Sequence, residues 1–428
     1  MESVSKTFCI LPWTHFTTSA TGSTSLCCYN MDIYDPAETH SRLENGGYIN
    51  EGVENIWNSS YFKNARKAML AGEKVASHLP MSPCEKCYAD ERGGVTSVRQ
   101  IQNSQFTKKE IDTLIEKTSP DGYLNELPVD FRIFIGSTCN LQCMMCFPDL
   151  SSALISVHRK IATIDGWLDQ LPLARFKNRK DPYKNPLVWK ETFDPVLKNI
   201  HTLQIVGGEP LVIKAHYDLL KYCVDKKYSE NISIILNTNG TTIPSDDLVE
   251  MWSKFKEVKI QLSIDDIKER NEYIRYPAKW DDMLKFIEFI ENTSLNNIKA
   301  TFFPTIQVAN IYYIPDFFDW IIDQQFSVFN NNSMHNINEP GISYMNILED
   351  RRQDNIKSLS PKVKKIVEQK CSSWYNKISQ LEEIIGYMHT EDWHDEHYYQ
   401  FTNWHKKLDM IRGTDFYQTF PIFREFDT

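Results

Sequence analysis

The chain has 428 residues, with 47 Lys and Arg against 57 Asp and Glu. The net charge of −10 leaves no general basic field for a phosphate backbone, which sets nucleic acid aside as a partner. With 41% hydrophobic and 24% charged residues the composition excludes disordered and collagenous chains, and at roughly 100–200 residues per domain the length holds about two or three domains.

In chain order, residues 1–100 are cysteine-bearing and irregular, broken by Gly22, Gly46, Gly47, Gly93 and Gly94; they read as a small metal-built module with few strands. Residues 101–128 form a connector whose helical text KKEIDTLIEK stops near Pro120 and Gly122. Residues 129–335 carry the candidate strands FRIFI (131–135), LQIV (203–206), ISIIL (232–236), VKIQLSI (258–264), KATFFPTI (299–306) and FSVFN (326–330). Most are followed by a polar loop and a helical period, so the expectation is α/β: a partial parallel barrel of six strand–helix units with its chemistry at the C-terminal strand ends. The long gap between the first two strands implies an insertion around 160–198. Residues 336–428 read as a helical, aromatic-rich region without strands. No run of about 18 apolar residues occurs and MESVSKTFCILPW lacks the pattern of an export signal, so a cytoplasmic protein without a membrane partner is expected.

The ten cysteines lie at 9, 27, 28, 84, 87, 139, 143, 146, 223 and 371. Their crowding into the first third of a large chain points to metal rather than to the disulfide framework of a small secreted domain. Cys139, Cys143 and Cys146 share one loop directly after the first barrel strand. Three thiolates can each hold one iron of a cubane cluster and leave the fourth iron open to a chelating ligand. The alternative is a zinc site completed by a distant His or Cys.

The C-x3-C-x2-C loop at this place resembles the signature of the radical SAM superfamily, and downstream text agrees. Val206 runs into Gly207-Gly208-Glu209-Pro210, similar to the family's GGEP motif; the third strand runs into Asn237-Thr238-Asn239-Gly240, and the fourth contains Ser263-Ile264-Asp265. Arg275 stands where relatives place an arginine that meets the carboxylate of S-adenosylmethionine. The resemblance implies a 4Fe–4S cluster on Cys139, Cys143 and Cys146. It places S-adenosylmethionine against Met145, Phe147, Gly207, Gly208, Glu209, Pro210, Asn237, Ser263 and Arg275. It further implies an enzyme that reductively cleaves S-adenosylmethionine to a 5′-deoxyadenosyl radical and abstracts a hydrogen atom from substrate. One departure is Met145, where the family usually has an aromatic residue; Phe147 follows the last cysteine instead.

Near the N-terminus, Cys9, Gly22 and Cys27, then Cys84 and Cys87, are similar to the opening of the SPASM and twitch pattern. The further cysteine run of a second SPASM cluster is absent, so the resemblance implies a twitch-like module with one auxiliary 4Fe–4S cluster, placed before the barrel. Glycine spacing favours Cys27 over Cys28 as ligand, and a structural zinc knuckle is the alternative. Analogy to such modules makes a peptide or protein side chain the leading substrate. A small molecule such as a sugar, aminocyclitol or nucleotide-like compound comes second, and a non-enzymatic zinc-stabilised binding protein third. A flavodoxin- or ferredoxin-type donor would supply electrons, and the basic stretch 175–186 is a candidate surface for it. Cys223 and Cys371 read as packing thiols. His389, His394 and His397 lie among carboxylates and read as a solvated helix face.

Overall fold

The computed structural model describes residues 5–27, 47–75, 84–166, 181–329, 342, 345–347 and 352–426. It divides into two compact units. The first comprises Met1–Ser137, Pro172–Ile235 and Asp246–Glu257, the second Thr138–Leu171, Leu236–Ser245 and Val258–Thr428.

In the first unit the strand order is β2 (Thr24–Ser25), β1 (His15–Thr18), β3 (Asp130–Phe134), β4 (Thr202–Val206) and then the first half of β5 (Ser233–Thr238). β3 and β4 are parallel, in register from Asp130 opposite Thr202 to Phe134 opposite Val206. The N-terminal segment, expected to hold few strands, supplies two to this sheet, β1 antiparallel to β2 and parallel to β3 from His15 opposite Asp130 to Thr18 opposite Ile133. The short run His-Phe-Thr-Thr suits a pleated surface, and Phe16 is fully buried with its ring 5.9 Å from that of Phe131. A parallel pair needs a long crossover, which the helices between residues 53 and 116 provide. Part of the expected insertion also belongs to this packing. Tyr183 is buried, and its hydroxyl meets Thr18 Oγ1 at 2.9 Å and donates to the Ser19 carbonyl at 2.8 Å.

In the second unit, β6 (Glu257–Leu262) pairs in parallel with β7 (Ile298–Phe302), from Val258 opposite Ile298 to Leu262 opposite Phe302, and the second half of β5 precedes β6 in the order. Strands β3 to β7 thus follow one another in sequence order with helices between them, the α/β arrangement of a partial parallel barrel. Two expectations need correction. KATFFPTI breaks at Pro304, which has no N–H to give a ladder; its end becomes β8 (Thr305–Ile306), paired with β9 (Asn346–Ile347) in a region expected to hold no strand. The described part of FSVFN is a turn, not a strand. The Glu291 carboxylate accepts from the backbone N–H groups of Ser327, Val328 and Phe329, while the Phe329 ring stacks on Phe302 with centroids 4.5 Å apart. Asn330 lies outside the described residues. The C-terminal region is built on helices Pro361–Cys371, Ser379–His389 and His394–Arg412, as expected. Among the described residues no helix is long and apolar enough to cross a membrane.

Arg66, on the helix Ser60–Leu70, ties the N-terminal module together. It is fully buried; Nε donates to the Pro12 carbonyl at 2.8 Å, and Nη1 donates to Asn58 Oδ1 and the Gly122 carbonyl, each at 3.1 Å. Its guanidinium lies 4.5 Å from the centre of the Trp57 ring, and burial draws its pKa down to about 9. Gly122 approaches the same helix so closely that a Cβ would lie 2.3 Å from the Lys63 carbonyl oxygen. Replacing Arg66 by Met strips these acceptors of their donors at about 1–3 kcal/mol for each one left unsatisfied. The Arg66→Met variant should therefore show an earlier urea transition in the fluorescence of Trp13 and Trp57; an unchanged midpoint would contradict this account.

Candidate active site and auxiliary cysteine site

In the second unit the loop bearing Cys139, Cys143 and Cys146 is fastened along its backbone. Gln142 N donates to the Tyr276 carbonyl at 2.6 Å, Met144 N to the Ile274 carbonyl at 2.8 Å, and Ser151 Oγ to the Leu141 carbonyl at 2.8 Å. Asn140 accepts from Asn239 Nδ2 at 2.9 Å and donates to Thr241 Oγ1 at 2.8 Å, which joins the loop to the turn after β5. Arg412, the last residue of helix His394–Arg412, donates to the Gln142 carbonyl. From the same helix Leu408 packs with Leu154, Val157 and Ile161, and Cys146 lies against this cluster.

Cys143 is buried and Cys139 and Cys146 are half-buried. Burial pushes the Cys143 thiol up to about 12; Arg275 acts against this, while Cys139 and Asp265 act with it. Burial raises Cys146 further, helped by Cys143 and Cys139. Three thiols that oppose one another's ionisation form a donor set that calls for a cationic centre. Arg275, also buried, places Nη1 3.9 Å from Cys143 Sγ, while Nη2 donates to Asp265 Oδ1 at 3.0 Å and Nε lies 2.8 Å from Oδ2. Asp265 is fully buried; Oδ1 also accepts from Thr305 N at 2.8 Å, and its own N–H donates to Asn271 Oδ1 at 3.0 Å. Arg275 is therefore engaged by a carboxylate of this chain, a partner that sequence reasoning did not give it. Phe147 is buried; Met145, Asn237 and Ser263 are half-buried, and Ser263 N donates to the Thr238 carbonyl at 2.8 Å.

In the first unit Gly207-Gly208-Glu209-Pro210 follows β4 as a turn that only small residues allow. Gly207 has φ +85°, and a Cβ there would lie 2.9 Å from the Gly136 carbonyl oxygen. Glu209 is buried and accepts from Leu211 N at 3.1 Å; Pro210 opens a single 3-10 turn, Pro210–Val212. His216, unmarked in the sequence, supports this turn: Nδ1 donates to the Pro210 carbonyl at 2.9 Å, and burial lowers the ring to about 4, so it is neutral.

The first unit also holds the second cysteine group. Cys84 precedes helix Glu85–Arg92, and Cys87 lies in its first turn. Cys9 and Cys87 are buried, and Cys27 follows β2, its carbonyl accepting from Ser25 Oγ at 2.9 Å. Burial holds the Cys9 thiol far above its ordinary range, and Cys84 and Cys87 add to this, which places the three thiols in one electrostatic neighbourhood. Tyr88 shares it. Burial raises its phenol and the thiols of Cys84, Cys9 and Cys87 add to the shift, yet the buried hydroxyl has no hydrogen-bond partner among the described residues. That orphaned donor beside thiols suits a sulfur-rich cluster. Cys28 lies outside the described residues. Cys223 and Cys371 are fully buried as packing groups. Among the described residues no three His, Cys, Asp or Glu side chains stand at the spacing of a single metal ion; a cubane holds its thiolates on separate irons and requires no such spacing.

The sequence matches the radical SAM superfamily over residues 133–320 and SPASM, an iron–sulfur cluster-binding domain, over residues 9–88. No curated protein matches. Among solved structures, Streptococcus suis SuiB bound to S-adenosylmethionine is 17% identical, covering 63% of this chain and 54% of that one with TM-score 0.33. SuiB bound to precursor peptide SuiA is 15% identical, covering 69% and 59% with TM-score 0.35. Native anSMEcpe with bound AdoMet and Cp18Cys peptide is 14% identical, covering 57% and 59% with TM-score 0.35. The chain thus spans between 54% and 59% of the length of these structures. With its matching segments in this order, the chain carries a SPASM-type iron–sulfur module N-terminal to a domain of the radical SAM superfamily.

Proposed function

We propose that this protein is a radical SAM enzyme that modifies a side chain of a peptide or protein. The observation that carries the chemistry is the fastened loop of Cys139, Cys143 and Cys146 beside the Arg275–Asp265 pair, within the segment that matches the radical SAM superfamily. When bound, a 4Fe–4S cluster and S-adenosylmethionine supply one-electron cleavage of a sulfonium bond and abstraction of a hydrogen atom from substrate. Cys139, Cys143 and Cys146 would be the thiolates that hold this cluster, three ligands for a cubane that also binds S-adenosylmethionine. By the family resemblance, Gly207, Gly208, Glu209 and Pro210 would receive its amino group and the Met145 backbone its adenine, with Phe147, Asn237 and Ser263 as further candidate contacts. Arg275, a positive neighbour of Cys143 held by Asp265, would be the residue that meets its carboxylate. Cys9, Cys27, Cys84 and Cys87 hold an auxiliary 4Fe–4S cluster, and a flavodoxin- or ferredoxin-type protein supplies electrons. The SPASM-type module supports the peptide reading, because such modules accompany peptide maturation.

The test is iron and acid-labile sulfide per chain after anaerobic reconstitution, with 5′-deoxyadenosine formed under reduction. Wild type should hold about eight irons, and the Cys139→Ala, Cys143→Ala, Cys146→Ala variant about four, with no 5′-deoxyadenosine. A colourless protein holding zinc would overturn the proposal. Deuterium arriving in 5′-deoxyadenosine from labelled peptides supports the substrate class; transfer only from labelled sugars, aminocyclitols or nucleotides refutes it. Asp265→Asn, which leaves Arg275 buried without its counter-charge, should cost about 3–5 kcal/mol. Its thermal midpoint should fall with that loss and the thiols of the 139–146 loop should alkylate faster; parental values for both would show that the ion pair does not organise the loop.

A further inference from the structure

Cys9 must be presented to Cys84 and Cys87 from a distant part of the sequence, and its flanking backbone shows how. Asn103 Oδ1 accepts from Ile10 N at 2.8 Å, while Asn103 Nδ2 donates to the Phe8 carbonyl at 3.0 Å. One side-chain amide thus pairs with the backbone on both sides of Cys9, much as a neighbouring strand would. Arg99 adds a second donor, Nη1 to the Phe8 carbonyl at 2.8 Å. Its other nitrogens grip Glu91, with Nε 3.0 Å from Oε1 and Nη2 on Oε2. Glu91 belongs to helix Glu85–Arg92, which carries Cys87 and starts directly after Cys84. Ser97 Oγ also donates to Glu91 Oε1, at 2.6 Å, and Ser97 caps helix Val98–Ser104 through a reciprocal pair with Gln100. The connection therefore runs from the Cys9 backbone through Asn103 and Arg99 to Glu91 and the helix bearing the other two thiols. Arg99 is 9% exposed, so its fork is bound away from competing water. The helix that makes these bonds lies outside both matched segments, 9–88 and 133–320.

We propose that the auxiliary site is completed by helix Val98–Ser104, with Asn103 and Arg99 as positioning residues that fix the direction in which Cys9 presents its thiol. The proposal rests on the reading that Cys9, Cys84 and Cys87 share a cluster. Residues that orient a ligand without touching the metal typically change metal affinity by about 10–100-fold when removed. Asn103→Ala removes both arms of the clamp. Asn103→Asp keeps the acceptor for Ile10 N but sets a carboxylate against the Phe8 carbonyl. Arg99→Lys keeps the charge and loses the fork.

The experiment uses the full chain, with each change made in wild type and in the Cys139→Ala, Cys143→Ala, Cys146→Ala background, where only the auxiliary group remains. Loss of iron to a chelator should be about tenfold faster in Asn103→Ala and Asn103→Asp, with altered electron paramagnetic resonance g values. In the metal-stripped Asn103→Ala chain with the radical SAM cysteines intact, alkylation of Cys9 mapped by mass spectrometry should also rise relative to Cys223, compared with the metal-stripped wild type. The radical SAM cluster signal in the otherwise wild-type chain serves as the folding control and should be kept. Parental g values, chelation rates and Cys9 alkylation in Asn103→Ala and Arg99→Lys would overturn the proposal. Loss of the control signal in every Asn103 and Arg99 variant would also overturn it, because these residues would then hold the fold and not the thiol. If the triple-cysteine background binds no iron, the auxiliary-cluster reading fails, and the alkylation of Cys9 alone decides whether Asn103 positions it.

Discussion

The second unit is organised around one buried ion pair, Arg275 with Asp265. Neither charge has appreciable access to water, so each would be costly alone, and removing one partner of such a pair is worth about 3–5 kcal/mol of stability. Asp265 meets part of the cost by accepting from Thr305 N, and its backbone is held by Asn271 and Asn310. The pair thereby joins the end of β6, helix Lys268–Ile274 and the start of β8. The cysteine loop lies along the same segment, through Gln142 to Tyr276 and Met144 to Ile274. A cation within reach of Cys143 and a loop whose backbone is fixed to that cation's own strand of chain are two results of one constraint.

Charge placement also explains why the thiols suit a cluster. Alone, buried thiols near one another stay protonated, because each thiolate would face desolvation and its neighbours. Arg275 opposes that tendency at Cys143, but its charge is largely matched by Asp265. The remaining positive charge has to come with the ligand, as iron does, so binding and deprotonation are coupled. The same reasoning applies in the first unit, where Cys9 meets Cys84 and Cys87 and the nearby Arg99 is matched by Glu91.

The features legible in the sequence are those whose chemistry dictates residue type at fixed local spacing. The C-x3-C-x2-C loop and the Gly207-Gly208 turn are of this kind, since ligation demands thiols and close approach demands the absence of a Cβ. The strands around β3, β4, β5 and β6 were likewise visible as apolar runs closed by polar loops. The failures have physical causes too. FSVFN has the composition of a strand, but the distant Glu291 binds the backbone groups that a strand would have used. KATFFPTI carried its own warning in Pro304. β1 is only four residues long, and its place is set by register with β3, which lies more than a hundred residues away. Arg412, His216 and Asn103 were illegible for the same reason: each acts on backbone brought near by the fold, and no local pattern marks a side chain whose partner is a remote carbonyl.

These remote contacts share a pattern. At Gln142 the donor comes from the last residue of helix His394–Arg412, at Pro210 from the first turn of helix Lys214–Asp225, and beside Cys9 from helix Val98–Ser104. In each case a helix outside the loop presents a polar side chain to the main chain of that loop. Binding the main chain fixes the loop whatever side chains it carries, so a loop whose cysteines or glycines are set by ligation or close approach gains its shape from elsewhere. The division of labour follows from the chemistry. Ligands and small residues cannot be exchanged for better packing, so the rigidity that a preorganised site requires has to be built into neighbouring elements that are free of that demand.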